Sequence, residues 1–265
     1  MRQRQDSRYD LAPAPEPLDR QVGHRIDRRV ARLLSRYGAL QGADLLRPLL
    51  RHAFRGRAAL TSSFGAEAAV LLHMVAEIEP ATPVLFLDTG KLFDETLAYR
   101  DALVARLGLT DVRTLTPAAY EVAALDPEGD LHRTAPDQCC FVRKVAPLNR
   151  GLAGFDAWIT GRKAYQSADR AGLKPIEAAE GRIKINPLLG WRPADMDAYM
   201  DRHALPPHPL LAEGYLSIGC APCTDRICAG EDPRAGRWRG RGKTECGIHR
   251  PRDASGAVAA GGEGT

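Results

Sequence analysis

Two pairs of cysteines and one left over carry the chemistry that this chain can do. Cys220-Ala221-Pro222-Cys223 presents two thiols at a spacing that clamps one metal ion or one edge of a cluster. Far upstream, Cys139 and Cys140 stand side by side in Asp137-Gln138-Cys139-Cys140-Phe141-Val142-Arg143-Lys144. Together they supply four thiolates, enough for a 4Fe-4S cluster or a tetrahedral zinc. Ligand pairs for zinc are usually separated by about two to four residues. A vicinal pair therefore favours a cluster, whose several irons let neighbouring residues bind different atoms. Cys246 is left over, in Glu245-Cys246-Gly247-Ile248-His249. Arginines and a histidine lie near it, and positive charge favours the thiolate, so Cys246 is the candidate nucleophile. Cys228 has no evident partner and reads as an incidental thiol.

The charge around Cys246 indicates what it would act on. Arg226, Arg234, Arg237, Arg239, Arg241, Lys243 and Arg250 face only Glu231, Asp232 and Glu245 in the same stretch. Such a segment suits an anionic partner. Trp238 is its only aromatic residue, so base stacking along a nucleic acid is poorly served, and a small phosphorylated or sulfated ligand fits better. At 265 residues the chain suits one large domain or one domain with appendages. No apolar run is long enough for a bilayer span. The polar start, Met1 to Asp6, lacks the apolar segment of a secretory signal. Six cysteines without such a signal point to a reducing compartment, the cytoplasm.

The elements that must position these residues follow from periodicity. Val22, Ile26, Val30, Leu33, Leu34 and Tyr37 recur at helical spacing, and Ala43 to Phe54 predicts a second helix with Pro48 inside it. Ala58 to Ser62 is a short apolar strand, then comes the small-residue loop Ser62-Ser63-Phe64-Gly65-Ala66-Glu67, then a helix from Ala68 to Ile78. Strand, loop and helix in that order converge amides and a helix N-terminus on an anion. The loop lacks the Gly-Lys-Ser/Thr of a P-loop kinase. Further strands are predicted at 83–87, 112–115, 155–160 and 183–187, and helices at 94–107, 118–124, 137–149 and 193–203. Residues 126–136 read as a loop. Alternating strands and helices mean an α/β, doubly wound, mostly parallel sheet. Ligands then sit at the strand carboxyl ends. Here those ends are Ser62-Ser63, Asp88-Thr89-Gly90 and Thr160-Gly161.

With these segments assembled, the chain resembles the assimilatory adenylylsulfate (APS) reductases, in the family shared with the phosphoadenylylsulfate (PAPS) reductases. The resemblance covers about Leu60 to His249 and rests on motifs in the right order. Ser62 to Glu67 is similar to the family's modified pyrophosphatase loop. Leu87-Asp88-Thr89-Gly90 and Thr160-Gly161-Arg162-Lys163 are similar to its nucleotide-binding strand ends. Cys139-Cys140 and Cys220-Ala221-Pro222-Cys223 are similar to the cluster ligands of the APS-using branch, and Arg234 to Trp238 with Lys243 to His249 to its catalytic tail.

The resemblance implies an adenine-nucleotide alpha-hydrolase-like (pyrophosphatase-loop) fold. It also implies reduction of APS to sulfite and AMP through a thiosulfonate on Cys246, with thioredoxin as reductant, toward cysteine. Implied ligands of a 4Fe-4S cluster are Cys139, Cys140, Cys220 and Cys223. Implied catalytic residues are Cys246, His249, Lys144, Arg234 and Arg237. Implied substrate contacts are Ser62, Ser63, Phe64, Gly65, Leu87, Asp88, Thr89, Gly161, Arg162, Lys163 and Arg170. Neither nucleic acid nor membrane is an expected partner, and a homo-oligomer is allowed for.

Three other readings compete. A PAPS reductase would need extra cations for a 3′-phosphate and no cluster. An ATP-using pyrophosphatase-loop enzyme would carry more glycine and an aspartate in the loop. A metal-bearing nucleic-acid module would have no use for Cys246. The expected organisation is an unstructured segment at 1–20, a nucleotide-binding domain at 21–218, a cluster and catalytic segment at 219–250 and a flexible end at 251–265.

Overall fold

The computed structural model describes residues 18–167 and 170–249, with side chains from Val22 onward. Six strands form one sheet in the order β3-β2-β1-β4-β6-β5. They are β1 Ala58–Ser62, β2 Val84–Leu87, β3 Val112–Leu115, β4 Ala157–Ile159, β5 Ile176–Ala179 and β6 Arg182–Ile185. All pairings are parallel except β5 with β6, which form a hairpin at one edge. The doubly wound, mostly parallel α/β sheet expected from the alternation of elements is therefore present.

Successive residues of a strand point to opposite faces, and both faces here are apolar, as buried parallel strands require. Leu60, Val84, Phe86, Ala157 and Ile159 enter one core with α1 (Leu18–Tyr37), α2 (Gly42–Pro48), α3 (Ala68–Ile78), α4 (Asp94–Leu107) and α9 (Pro193–Arg202). Ala59, Leu85, Leu87 and Trp158 enter the other, with Leu148 and Leu152. The connections from β1 to β2 and from β2 to β3 run through α3 and α4 on the first face. The return from β3 to β4 uses the second face. It passes through α5 (Ala119–Leu125), α6 (Leu131–Thr134), α7 (Pro136–Cys140) and α8 (Ala146–Gly151), which packs on β2 and β3. Strand order thus reverses between β1 and β4, the place where open α/β sheets bind ligands.

Several expectations need correction at their edges. Helix α1 begins at Leu18, inside the segment taken as unstructured. The expected flexible end, 251–265, lies outside the described residues. Helix α2 ends on Pro48 and continues as a π-helical turn, Leu49–Ala53. In that wider turn the Phe54 N–H reaches the Leu49 carbonyl at 2.8 Å. The helix expected over 137–149 is likewise interrupted by a π-helical turn, Phe141–Val145, which carries Lys144. The loop at 126–136 contains α6, and the strand β5 was not foreseen. Among the described residues no helix is long and apolar enough to cross a membrane.

Candidate active site

A cleft of about 840 Å³ opens at the carboxyl ends of β1 and β4. Its floor begins with the loop after β1. The Phe64 N–H donates to Ser62 Oγ at 3.1 Å, and Phe64 takes a left-handed φ of 48°. That conformation strains a non-glycine residue. It is held by burial: the Phe64 ring is fully enclosed and meets Phe86 edge-on at 5.4 Å. Phe64 is thus an anchor beneath the cleft, while Ser62, Ser63, Gly65 and Glu67 line it ahead of the α3 N-terminus. A helix start with free amides and positive dipole favours an anion there.

The β4 end contributes Gly161, Arg162, Lys163 and, further on, Arg170. Glu67 is gripped by three donors, Lys163 Nζ at 2.8 Å, Gln166 Nε2 at 2.8 Å and the Tyr165 hydroxyl. Burial alone would favour its neutral form, but Lys163 and the other donors outweigh that and hold the carboxyl below its usual range. Arg162 is committed to Glu177 and Asn186. Leu87 lines the cleft. Asp88 instead accepts from the Gly90 N–H at 2.9 Å and shapes its own turn.

The opposite wall is the C-terminal segment, with Arg234, Arg237, Glu245, Cys246, Ile248 and His249. It is fastened in place. Glu245 pairs with Arg170 at 2.6 Å and lies 3.6 Å from Arg234, which also donates to the Thr244 carbonyl at 2.7 Å. Ile248 packs into the second core. The His249 ring lies 5.5 Å from Trp158, and its Nδ1 has no partner among the described residues. Burial, then Lys184, Arg162, Arg170 and Arg234, push its pKa well below the usual value, so His249 is neutral. Arg237 stacks on Trp238 at 4.4 Å and its Nε is also without a partner. Gly219 leaves room for this guanidinium: a Cβ there would stand 2.2 Å from it and push it aside.

Beside the cleft is a second, small cavity. It is lined by all four cysteines, Cys139, Cys140, Cys220 and Cys223, with Lys91, His132, Arg143 and Trp238. Lys144 lines both spaces and stands between them. Burial favours its neutral amine, but the sulfurs of Cys220, Cys246 and Cys140 prevail and raise its pKa, so it is charged. Cys220 shows the reciprocal effect. Burial favours its thiol, but Lys144, the Thr89 hydroxyl and Arg237 shift it toward thiolate. Thr89 Oγ1 lies 3.3 Å from Cys220 Sγ and accepts from the Lys91 N–H, which leaves its proton for the sulfur. Thr89 therefore serves the thiol cavity rather than the cleft.

Arg143 ties the cavity together. Its guanidinium donates to Asp126 at 2.6 and 3.1 Å and to the Thr89 carbonyl at 2.9 Å, all buried. Asp126, Glu67, Glu245 and Asp137 were not singled out by sequence reasoning. Asp137 and Glu245 lie beside cysteines that were singled out, whereas nothing in the sequence marks Glu67 or Asp126 themselves. Among the described residues no three ligand-type side chains are arranged to share a single ion.

Residues 57–226 match the phosphoadenosine phosphosulfate reductase domain. The chain is 52% identical to an adenosine 5′-phosphosulfate reductase of Mesorhizobium japonicum, over 89% of this chain and 93% of that one. It is 46% identical to the enzyme of that name from Streptomyces coelicolor, over 74% and 83%. A phosphoadenosine 5′-phosphosulfate reductase of Gloeobacter violaceus is 43% identical over the same shares. Among solved structures, a phosphoadenylyl-sulfate reductase from Candida auris superposes with a TM-score of 0.59 at 27% identity, covering 80% of this chain and 99% of that one.

Proposed function

The chain belongs to the phosphoadenosine phosphosulfate reductase family, and from that premise we propose that it reduces adenylylsulfate to sulfite and AMP in sulfate assimilation, with Cys246 as nucleophile. The observation that carries this reading is the placement of Cys246 in one wall of the cleft, together with Lys144, Arg234 and Arg237. A sulfate-phosphate anhydride brings its charge to those cations, to the loop after β1 and to the α3 N-terminus. Adenosine lies over Leu87 and Gly161. The Cys246 thiolate attacks the sulfate sulfur, and the bond from that sulfur to the bridging oxygen breaks. AMP leaves with the electron pair, and a thiosulfonate remains on Cys246.

Two electrons are still required to reach sulfite, and a dithiol of the thioredoxin class supplies them. One of its thiolates attacks Cys246 Sγ and expels sulfite, leaving a mixed disulfide. Its second thiol then releases Cys246 and forms the reductant's own disulfide. Lys144, Arg234 and Arg237 hold the anionic groups and stabilise charge as it moves to the leaving oxygen. His249, held neutral by burial and by the cations around it, can give a ring N–H to the sulfonyl group.

The four cysteines fit a 4Fe-4S cluster. Their thiols share one cavity, three cations border it, and a hydroxyl is aimed at Cys220. Thiols that surround a space without converging on one point suit several irons better than one zinc. Cys139, Cys140, Cys220 and Cys223 would hold it. When bound, the group supplies a compact charge beside Lys144, and the electrons of the reaction come from thiols. Such chemistry belongs in a reducing compartment, the cytoplasm.

The alternative substrate is PAPS, the name carried by the Gloeobacter relative. The thiol set favours APS. Anaerobically purified protein, given reduced thioredoxin, is expected to turn over APS far faster than PAPS and to yield sulfite and AMP in equal amounts. Preference for PAPS, or a colourless protein without iron, would overturn the reading.

A further inference from the structure

Lys243 stands three residues before Cys246 but does not line the cleft. Its side chain is only 5% exposed, and its ammonium donates to Asp137 Oδ1. The same ammonium lies 5.7 Å from the Trp238 ring centre. Asp137 belongs to α7, two residues before Cys139, and its own side chain is 71% exposed. Arg241 runs alongside. It donates to the His132 and Pro222 carbonyls and lies 3.7 Å from Cys223 Sγ. Gly240 and Gly242 adopt left-handed φ values of 72° and 58°, and between and after these turns Arg241 reaches Cys223 while Lys243 reaches Asp137 on α7. The tail is thus fastened twice. Glu245 and Thr244 hold it from the cleft side, and Arg241 and Lys243 from the side of the four cysteines.

We infer that Lys243 and Asp137 are a positioning pair for the Cys246 thiol, fixing the tail against the helix that carries the cysteine pair. Neither residue touches the cleft, so the pair acts on where Cys246 stands and not on how substrate is held. Arg241 shares the load but reaches only main-chain carbonyls and a sulfur, whereas Asp137 offers a carboxylate that a single substitution can silence. The inference rests on Cys246 as the attacking thiol.

The test follows alkylation of Cys246 by iodoacetamide in the resting holoprotein. Lys243→Met and Asp137→Asn should each speed it by about three- to fivefold, the worth of one partly enclosed ion pair. The double variant should be no faster than either single, since the two act as a unit. Lys243→Arg should behave as wild type. In all four proteins AMP affinity and the visible absorption should be unchanged, while transfer of SO₃ from APS to Cys246 slows in Lys243→Met and Asp137→Asn. Wild-type alkylation rates in the singles, additive effects in the double, or loss of iron in Asp137→Asn would overturn the pairing. If wild-type protein formed no adduct with APS, the functional reading would fail, yet the alkylation rates would still decide the pairing.

Discussion

Cys246 lines the cleft beside Lys144, Arg234 and Arg237. Cys246→Ser should keep its visible chromophore and bind APS, yet gain no SO₃ by mass spectrometry; an adduct on Cys228 in that variant would refute the nucleophile assignment. Cysteines, and arginines clustered near one of them, are rare enough to be read directly from sequence. Glu67 and Glu245 were not, because a lone glutamate has no spacing signature and its role depends on which cation the fold brings to it. Cys228 is exposed and its N–H bonds Glu231 Oε2, so Cys228→Ser should retain iron and activity, whereas Cys220→Ser should lose both. Arg237 has a free Nε and faces the cleft. Removing a charged hydrogen-bond donor to an anion costs about 1.5–3 kcal/mol. Arg237→Ala should therefore weaken APS binding at least about tenfold by calorimetry, and undiminished affinity would count against the substrate placement.

Elements with strong periodicity were legible, and elements made by tertiary contact were not. β1 and β2 are near-continuous apolar runs, and α3 is apolar almost throughout. β5 reads Ile-Glu-Ala-Ala and carries little strand propensity; it exists because it pairs with β6. The turn between them did carry a signal. Glu180 and Gly181 both take positive φ, at 51° and 73°, as a two-residue hairpin turn with glycine allows. Nor could sequence show the cap that begins the short helix Pro209–Glu213. His208 Nδ1 accepts from the Leu210 N–H at 3.2 Å, so the ring proton sits on Nε2 and faces Thr96 Oγ1 at 3.1 Å. Burial lowers this pKa to about 4 from 6.5. Between those values the unfolded chain takes a proton that the folded one refuses, so stability should fall as pH drops from about 6.5 toward 4. Urea unfolding at pH 7 and pH 5 measures the slope. His208→Asn should flatten it, and an unaltered slope would exclude His208 as its source.

Across the whole molecule, topology explains why distant segments meet. Reversal of strand order between β1 and β4 opens the cleft, and the return through α7 carries Cys139 and Cys140 to the same end of the sheet. A ligand bound only by the folded chain stabilises it by mass action, about 2.7 kcal/mol at a hundredfold excess over its dissociation constant. AMP is accordingly expected to raise the melting temperature, and Cys246→Ser should respond as wild type does. One consequence lies in the pairing of Glu245 with Arg170 and Arg234. A carboxylate on the protein's own tail occupies cations that the proposed substrate would use. Tethering gives such a group a high local concentration, of order millimolar for short linkers. The resting enzyme then carries its own competitive ligand, displaced only by an anion that out-bids it on both arginines. Glu245→Gln should tighten AMP binding in a calorimetric titration, and a weaker or unaltered affinity would show that the tail and the nucleotide do not contend for the same charge.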